Sequence, residues 1–252
     1  MRLENKVAVI TGGNSGIGFG IACEFKREGA KGVITGRSQS KIDSSLQELG
    51  PNFAGFQGDV TNLDELEELF QTTTDKFGKL DILVANAGGA IGHGSLGSVA
   101  DTIESDFTKM MDLNLKSVFF TVQKALPYLN DGSSIILVSS IAGQKALPGL
   151  TVYSAAKAGV RSFARTFSSD LLDRKIRVNV LSPGTIETPV FERMGLPEDA
   201  IDQAKEQFES IIPLKRIGQP SEMGKVAVFL ASDDSSFVLG EEIIADGGVV
   251  NL

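Results

Sequence analysis

Short apolar runs alternate along this chain with segments of helical period, and that alternation leaves few folds open. The runs are KVAVIT (6–11), GVIT (32–35), FAGFQGDV (53–60), LDILVANAGG (80–89), SIILVSS (134–140), IRVNVLS (176–182) and EEIIADGG (241–248). Several are apolar or β-branched at nearly every position, as expected of strands covered on both faces. Between them lie helical segments: 61–78, with Leu66, Phe70 and Phe77 on its buried face and Thr61 or Asn62 as its cap, then 104–128, 153–173 and 221–231. The expected architecture is α/β, a doubly wound, seven-stranded parallel sheet with helices on both faces. No Pro/Ser-rich linker, low-complexity tract or repeat divides the 252 residues. The chain therefore reads as one domain, 1–252, able to bury roughly 70–75% of the surface its unfolded form exposes.

The first run is followed by GGNSGIG (12–18) and then by a helix in which Ile17, Ile21 and Phe25 recur before Gly29. Gly12, Gly16 and Gly18 allow a tight turn and let backbone N–H groups approach a pyrophosphate at a helix N-terminus. Clustered glycines can also form an ordinary loop, but strand, glycine turn and helix in this order favour a Rossmann-type dinucleotide site. The second run ends in Gly36-Arg37-Ser38. An NAD site usually has an acidic side chain about 20 residues beyond the glycines, where it would repel a 2′-phosphate. Glycine stands there instead, and Arg37 and Ser38 offer a permanent charge and a donor. NADP(H) is expected over NAD(H), against the plainer reading of Arg37 as an exposed loop residue.

A second constellation occupies 139–157. Tyr153 and Lys157 are four residues apart in a helical segment and share a face. An ammonium beside a phenol favours the phenolate and draws its pKa from about 10 toward neutrality, which suits a general acid/base. Ser140 ends a buried run, where its hydroxyl can hold a carbonyl oxygen. YSAAK could alternatively open an ordinary helix. Asn114 is a polar residue among apolar neighbours in 104–128 and could satisfy buried groups or hold a water.

The net charge of −8 and pI near 4.8 disfavour nucleic acid and anionic membrane surfaces. One cysteine, Cys23, and one histidine, His93, exclude an internal disulfide and a zinc-type cluster, so no metal is expected. His93 reads as a solvated loop residue or, less simply, a pocket wall. No long apolar stretch opens the chain, and a cytoplasmic protein is the default. The insertion at about 184–220 contains an amphipathic stretch with Ile201, Phe208 and Ile212 in one stripe, expected to act as a substrate loop or lid, or else to pack as a plain helix. Phe191, Met194 and Leu196 suggest a small-molecule substrate with apolar bulk.

TGGNSGIG (11–18), Asp59-Val60, Asn86-Ala87-Gly88, Asn114, Ser140, Tyr-x-x-x-Lys at 153–157 and PG-x-I-x-T at 183–188 occur in an order and at intervals that resemble the compact short-chain dehydrogenases/reductases. The usual NNAG is ANAG here, with Ala85 first. The resemblance implies an oxidoreductase interconverting a ketone or aldehyde with an alcohol, of carbonyl reductase or alcohol dehydrogenase type. Tyr153 would be the proton donor, Ser140 would hold the oxygen, Lys157 would acidify Tyr153 and bind the nicotinamide ribose, and Asn114 would position a relay water. Cofactor contacts would come from Gly12, Asn14, Ser15, Gly16, Ile17 and Gly18, from Arg37 and Ser38, and from Asp59 and Val60 beside the adenine. Asn86, Ala87 and Gly88 would line the crevice, and Pro183, Gly184, Ile186 and Thr188 would complete it, the last two at the nicotinamide. It also implies a homotetramer built on 104–128, 153–173 and the C-terminal segment. Two alternatives stand beside this reading. One is a 3-oxoacyl-carrier-protein reductase, for which Lys124, Arg161, Arg165 and Arg174 are scattered candidates for a basic patch; the other is a non-catalytic NADP(H)-binding sensor.

Overall fold

A computed structural model of the protein describes residues 1–89, 97–189 and 198–252. Seven strands, β1 (Val7–Ile10), β2 (Lys31–Gly36), β3 (Phe53–Gln57), β4 (Leu80–Ala85), β5 (Leu129–Val138), β6 (Arg177–Pro183) and β7 (Glu242–Ala245), form one sheet in the order β3-β2-β1-β4-β5-β6-β7. Every pairing is parallel. The helices are α1 (Gly16–Arg27), α2 (Gln39–Leu49), α3 (Leu63–Phe77), α4 (Glu104–Met111), α5 (Ser117–Ala125), α6 (Thr151–Asp170), α7 (Glu198–Ile211) and α8 (Pro220–Ala231).

The apolar strands are explained by the two cores they serve. In β1, Ala8 and Ile10 join Ile21, Phe25, Ile34, Val84 and Val228 on one face of the sheet. Val9, between them, points to the other face and packs with Leu66, Phe70, Leu83, Ile135 and Val160. Both faces therefore exclude water, as the unbroken apolar runs require. Strand order reverses between β1 and its neighbours β2 and β4, so the carboxyl ends of β1 and β4 flank a crevice at the switch point.

Three readings of the sequence change here. The segment 104–128 is not one continuous helix: a π-helical turn, Asp112–Lys116, separates α4 from α5, and a 3-10 turn follows at Leu126–Tyr128. Asn114 lies inside the π turn, and its side-chain amide donates to the Met110 carbonyl (3.1 Å), competing for an acceptor that a regular α-helix would reserve for backbone. The third strand stops at Gln57, because Asp59 turns back to accept from the Thr61 N–H (2.9 Å) and so builds the entry to α3. The helix α2 follows Arg37, where the sequence pattern marks only a loop. In the insertion, the α7 residues Ile201 and Phe208 pack on the cluster of Ile212 and Ile217, so their stripe has a packing role. His93, Phe191, Met194 and Leu196 lie outside the described residues. Among the described residues, no helix is long and apolar enough to cross a membrane.

Candidate active site

The glycine turn is stitched to the loop after β4 by two residues far apart in sequence. Thr11 Oγ1 accepts from the Asn86 and Ala87 backbone N–H groups (both 3.0 Å) and donates to the Val84 carbonyl (3.3 Å). Asn86 answers with its amide nitrogen, which donates to the carbonyls of Thr11 (2.9 Å) and Gly12 (3.3 Å). A side chain at Gly18 would place its Cβ 2.3 Å from the Gly12 oxygen and 2.5 Å from Asn86 Nδ2, so the turn closes only with glycine there. Gly12 (φ 65°) and Gly16 (φ 53°) both take the left-handed conformation. Ser15 stands at the N-cap of α1, whose first turn carries no acidic residue, and the N–H groups of that turn suit an anion. Ile17 packs on the core beneath. Across the crevice, Pro183 ends β6, the Gly184 N–H donates to Ala245 (3.0 Å), Ile186 is buried, and Thr188 lies against Gly16.

At the end of β2, Arg37 is exposed and carries no ion pair among the described residues, while Ser38 caps α2, whose first turn is also free of acidic residues. Gly36 is hemmed in by Asn14: a Cβ there would lie 2.4 Å from the Asn14 amide. Asp59 spends one carboxylate oxygen on the Thr61 N–H and hydroxyl (2.9 and 2.8 Å), and Val60 is buried beside it.

The third group gathers where β5 ends. Ser140 caps a 3-10 turn, Ile141–Gly143, accepting from the Ala142 N–H (3.2 Å), and its hydroxyl lies near enough to the Tyr153 phenol to lower its pKa. Tyr153 is the third residue of α6, near the positive end of the helix dipole. Lys157, one turn on, is buried with its Nζ 3.0 Å from the Val138 carbonyl and 5.6 Å from the Tyr153 ring centroid. Asn114 closes the floor: its Oδ1 accepts from the Gly89 N–H (2.8 Å), and its Nδ2 donates to Gly89 and Met110. Gly88 sits against both Asn114 and Lys157. The amide of Asn114 is thus engaged mainly with protein, fixing the loop that ends β4.

The electrostatics differ from the simple pairing of ammonium and phenol. Burial raises the Tyr153 phenol above its ordinary value, and the nearby Ser140 hydroxyl opposes that only in part. Burial also pushes Lys157 down to about 8, so its charge is held against the desolvation it suffers. In this state Tyr153 is a protonated donor at neutral pH. Because the folded Lys157 value lies below the ordinary 10.5, folded and unfolded chains both hold its proton below pH 8. Between about 8 and 10.5 the unfolded chain binds more protons, so stability rises with pH over that window, by on the order of 3 kcal/mol. Lys157→Met should therefore raise the melting temperature at pH 7 by several degrees while abolishing most activity, and should flatten the gain above pH 8. Melts of both proteins at pH 7 and pH 9.5 check this; a variant less stable than wild type at both would refute it.

A parallel sheet with a glycine-closed anion site at its switch point, and a phenol beside a buried lysine at the end of the adjoining strand, defines a dinucleotide-dependent oxidoreductase. The comparisons agree: a family model described as enoyl-(acyl carrier protein) reductase matches residues 12–250. Oxidoreductase asL5 of Sarocladium schorii is 43% identical, covering 100% of this chain and 98% of its own. The 3-oxoacyl-acyl-carrier-protein reductase FabG of Thermotoga maritima is 40% identical, covering 99% of this chain and 100% of its own. The crystal structure of a Caenorhabditis elegans short-chain dehydrogenase/reductase of unknown function with cofactor superposes with a TM-score of 0.93 at 34% identity, covering 99% of this chain and 96% of that one. The chain belongs to the short-chain dehydrogenase/reductase family, whose members use a nicotinamide cofactor.

Proposed function

We propose that the protein is an NADP(H)-dependent oxidoreductase that interconverts a ketone or aldehyde having apolar bulk with the corresponding alcohol. The observation that carries this reading is the gathering of Ser140, Tyr153 and buried Lys157, whose Nζ lies 5.6 Å from the Tyr153 ring centroid. The residues present suit the dinucleotide: glycines close the turn at α1, where a Cβ at Gly18 would collide and those at Gly12 and Gly16 would be crowded, and the N-termini of α1 and α2 offer anion sites, with Arg37 beside the second carrying no ion pair among the described residues. Gly12, Asn14, Ser15, Gly16, Ile17 and Gly18 would hold the pyrophosphate, Arg37 and Ser38 the 2′-phosphate, and Asp59, Val60, Asn86, Ala87 and Gly88 the adenosine side. Pro183, Gly184, Ile186, Thr188, Tyr153 and Lys157 would hold the nicotinamide end. When bound, the nicotinamide supplies or accepts the hydride.

The chain itself handles the oxygen and its proton. Ser140 and the Tyr153 hydroxyl converge on the carbonyl oxygen and orient it. As negative charge develops there, Tyr153 delivers its proton, and the phenolate left behind is stabilised by the Lys157 ammonium and the α6 N-terminus. Asn114 would hold the Gly88–Gly89 loop against Lys157 and leave the second lone pair of Oδ1 for a relay water. We expect a homotetramer, with the Phe119, Phe163 and Phe167 rings of α5 and α6, partly exposed and in mutual contact, inside one interface.

The Thermotoga maritima relative favours a second reading, 3-oxoacyl-carrier-protein reduction. The surface weighs against it, because Lys124, Arg161 and Arg174 are paired with Glu67, Glu242 and Asp131, leaving Arg165 alone of the four without an ion pair among the described residues. Following NADPH consumption with aryl ketones, aliphatic ketones and acyl thioesters tests both. Turnover of bulky free ketones above thioesters is expected; turnover of none would favour a sensor.

A further inference from the structure

Glu242 begins β7, yet its carboxylate gathers side chains from three other walls of the catalytic crevice. Oε2 accepts from Gln144 Nε2 (2.8 Å) and from Arg161 Nε, and Oε1 accepts from the Ser182 hydroxyl (2.5 Å). Arg161 lies on α6 one turn beyond Lys157, and its other arm reaches the Gly143 carbonyl (3.4 Å). Gln144 follows Gly143 directly, so Glu242 holds the far end of the turn that Ser140 opens. The near end is fixed separately, by the Ser139 hydroxyl on the Lys157 carbonyl (2.8 Å). Between these two ties the turn is pressed onto α6 so closely that a Cβ at Gly143 would lie 3.0 Å from the Lys157 carbonyl carbon.

We infer that Glu242, through Arg161 and Gln144, is a positioning residue for Ser140: it sets the distance between the Ser140 turn and the helix that carries Tyr153 and Lys157. The carboxylate suits the task. It is only 12% exposed, and although Gln144 meets it at the surface, the Arg161 fork can hold Glu242 and the Gly143 carbonyl together. Ser182, fully buried, ties the same carboxylate to the end of β6 just before Pro183. Loss of the anchor frees the turn to move away from α6, and displacements of about an ångström in a reacting constellation cost up to roughly 10²-fold in rate.

The inference rests on the proposed role of Ser140, and a double-mutant cycle separates the two. Ser140→Ala alone should lower kcat on the order of 10²-fold, the loss of one oxygen-holding donor. Glu242→Ala alone should lower kcat roughly 10- to 100-fold, with the NADPH dissociation constant changed less than about threefold. In the Ser140→Ala background, Glu242→Ala should cost less than about twofold, because the group it positions is gone. Equal losses in both backgrounds, or wild-type kcat in Glu242→Ala, would overturn the positioning role. Wild-type kcat in Ser140→Ala would overturn the serine assignment and this inference with it. If Glu242→Ala does not fold, Arg161→Lys carries the same cycle: it keeps the charge opposite Glu242 but lacks the fork that also reaches Gly143, and additive losses would be equally fatal.

Discussion

Tyr153→Phe should lower turnover on the order of 10²–10⁴-fold while leaving the dissociation constant of NADPH within a small factor of wild type. The ring remains, so the packing at the start of α6 and the contact with Lys157 survive, and Lys157 keeps its bond to the Val138 carbonyl. Ser140 still accepts from the Ala142 N–H. What disappears is the hydroxyl that burial keeps protonated. The loss should fall on kcat rather than on KM, since the proton is transferred only as the oxygen gains charge. Turnover near wild type would refute Tyr153 as the acid. Loss of cofactor binding alongside turnover would show that the substitution had disturbed the crevice rather than the chemistry.

How far the sequence carried toward this site depends on the range of the interactions involved. The strands were readable because burial on both faces writes a continuous apolar run, as in β1 and β5. The helix α2 was not, because its only buried residues are Ile42, Ser45 and Leu49, too sparse a stripe to stand out. The π turn in 104–128 left no mark either: it widens the hydrogen-bond ring without disturbing the apolar positions Met110, Val118 and Val122. Local spacing placed Tyr153 and Lys157 on one helix, and strand-end logic placed Ser140 beside them. The clamps are another matter. Thr11 and Asn86 are 75 residues apart, and Glu242 and Arg161 are 81 apart, so nothing local signals either pair. Thr11 reads as the first letter of a motif, Arg161 as a scattered candidate for a basic patch and Glu242 as part of a strand. The sign of the Tyr153 shift was likewise out of reach, since it depends on how deeply phenol and ammonium are buried together.

Cofactor choice is where the structure most changes the experiment that the sequence suggests. If Arg37 pairs with a 2′-phosphate, Arg37→Ala should weaken NADPH binding by about 1.5–3 kcal/mol, roughly 10–150-fold, and leave NADH binding almost unaltered. Arg37 is exposed, so the lower end is expected, and the preference should shrink as ionic strength rises. Completing the switch calls for a carboxylate at position 36, which would accept from the 2′-hydroxyl of NAD and repel the phosphate. Gly36→Asp alone cannot supply it cleanly, because its Cβ would stand 2.4 Å from the Asn14 amide, in the turn that both cofactors need. Gly36→Asp with Arg37→Ala should therefore bind both dinucleotides poorly. Adding Asn14→Ala removes the colliding amide together with one pyrophosphate contact that both cofactors share, so the triple variant should bind NADH better than the double variant, though below the wild-type level for NADPH, and prefer NADH over NADPH. Dissociation constants for both cofactors, measured by fluorescence titration across the four proteins, decide the matter. A wild type that prefers NADH would refute the role of Arg37. A double variant that already binds NADH well would show instead that Asn14 yields to the new side chain, and that the crowding at Gly36 does not govern selectivity.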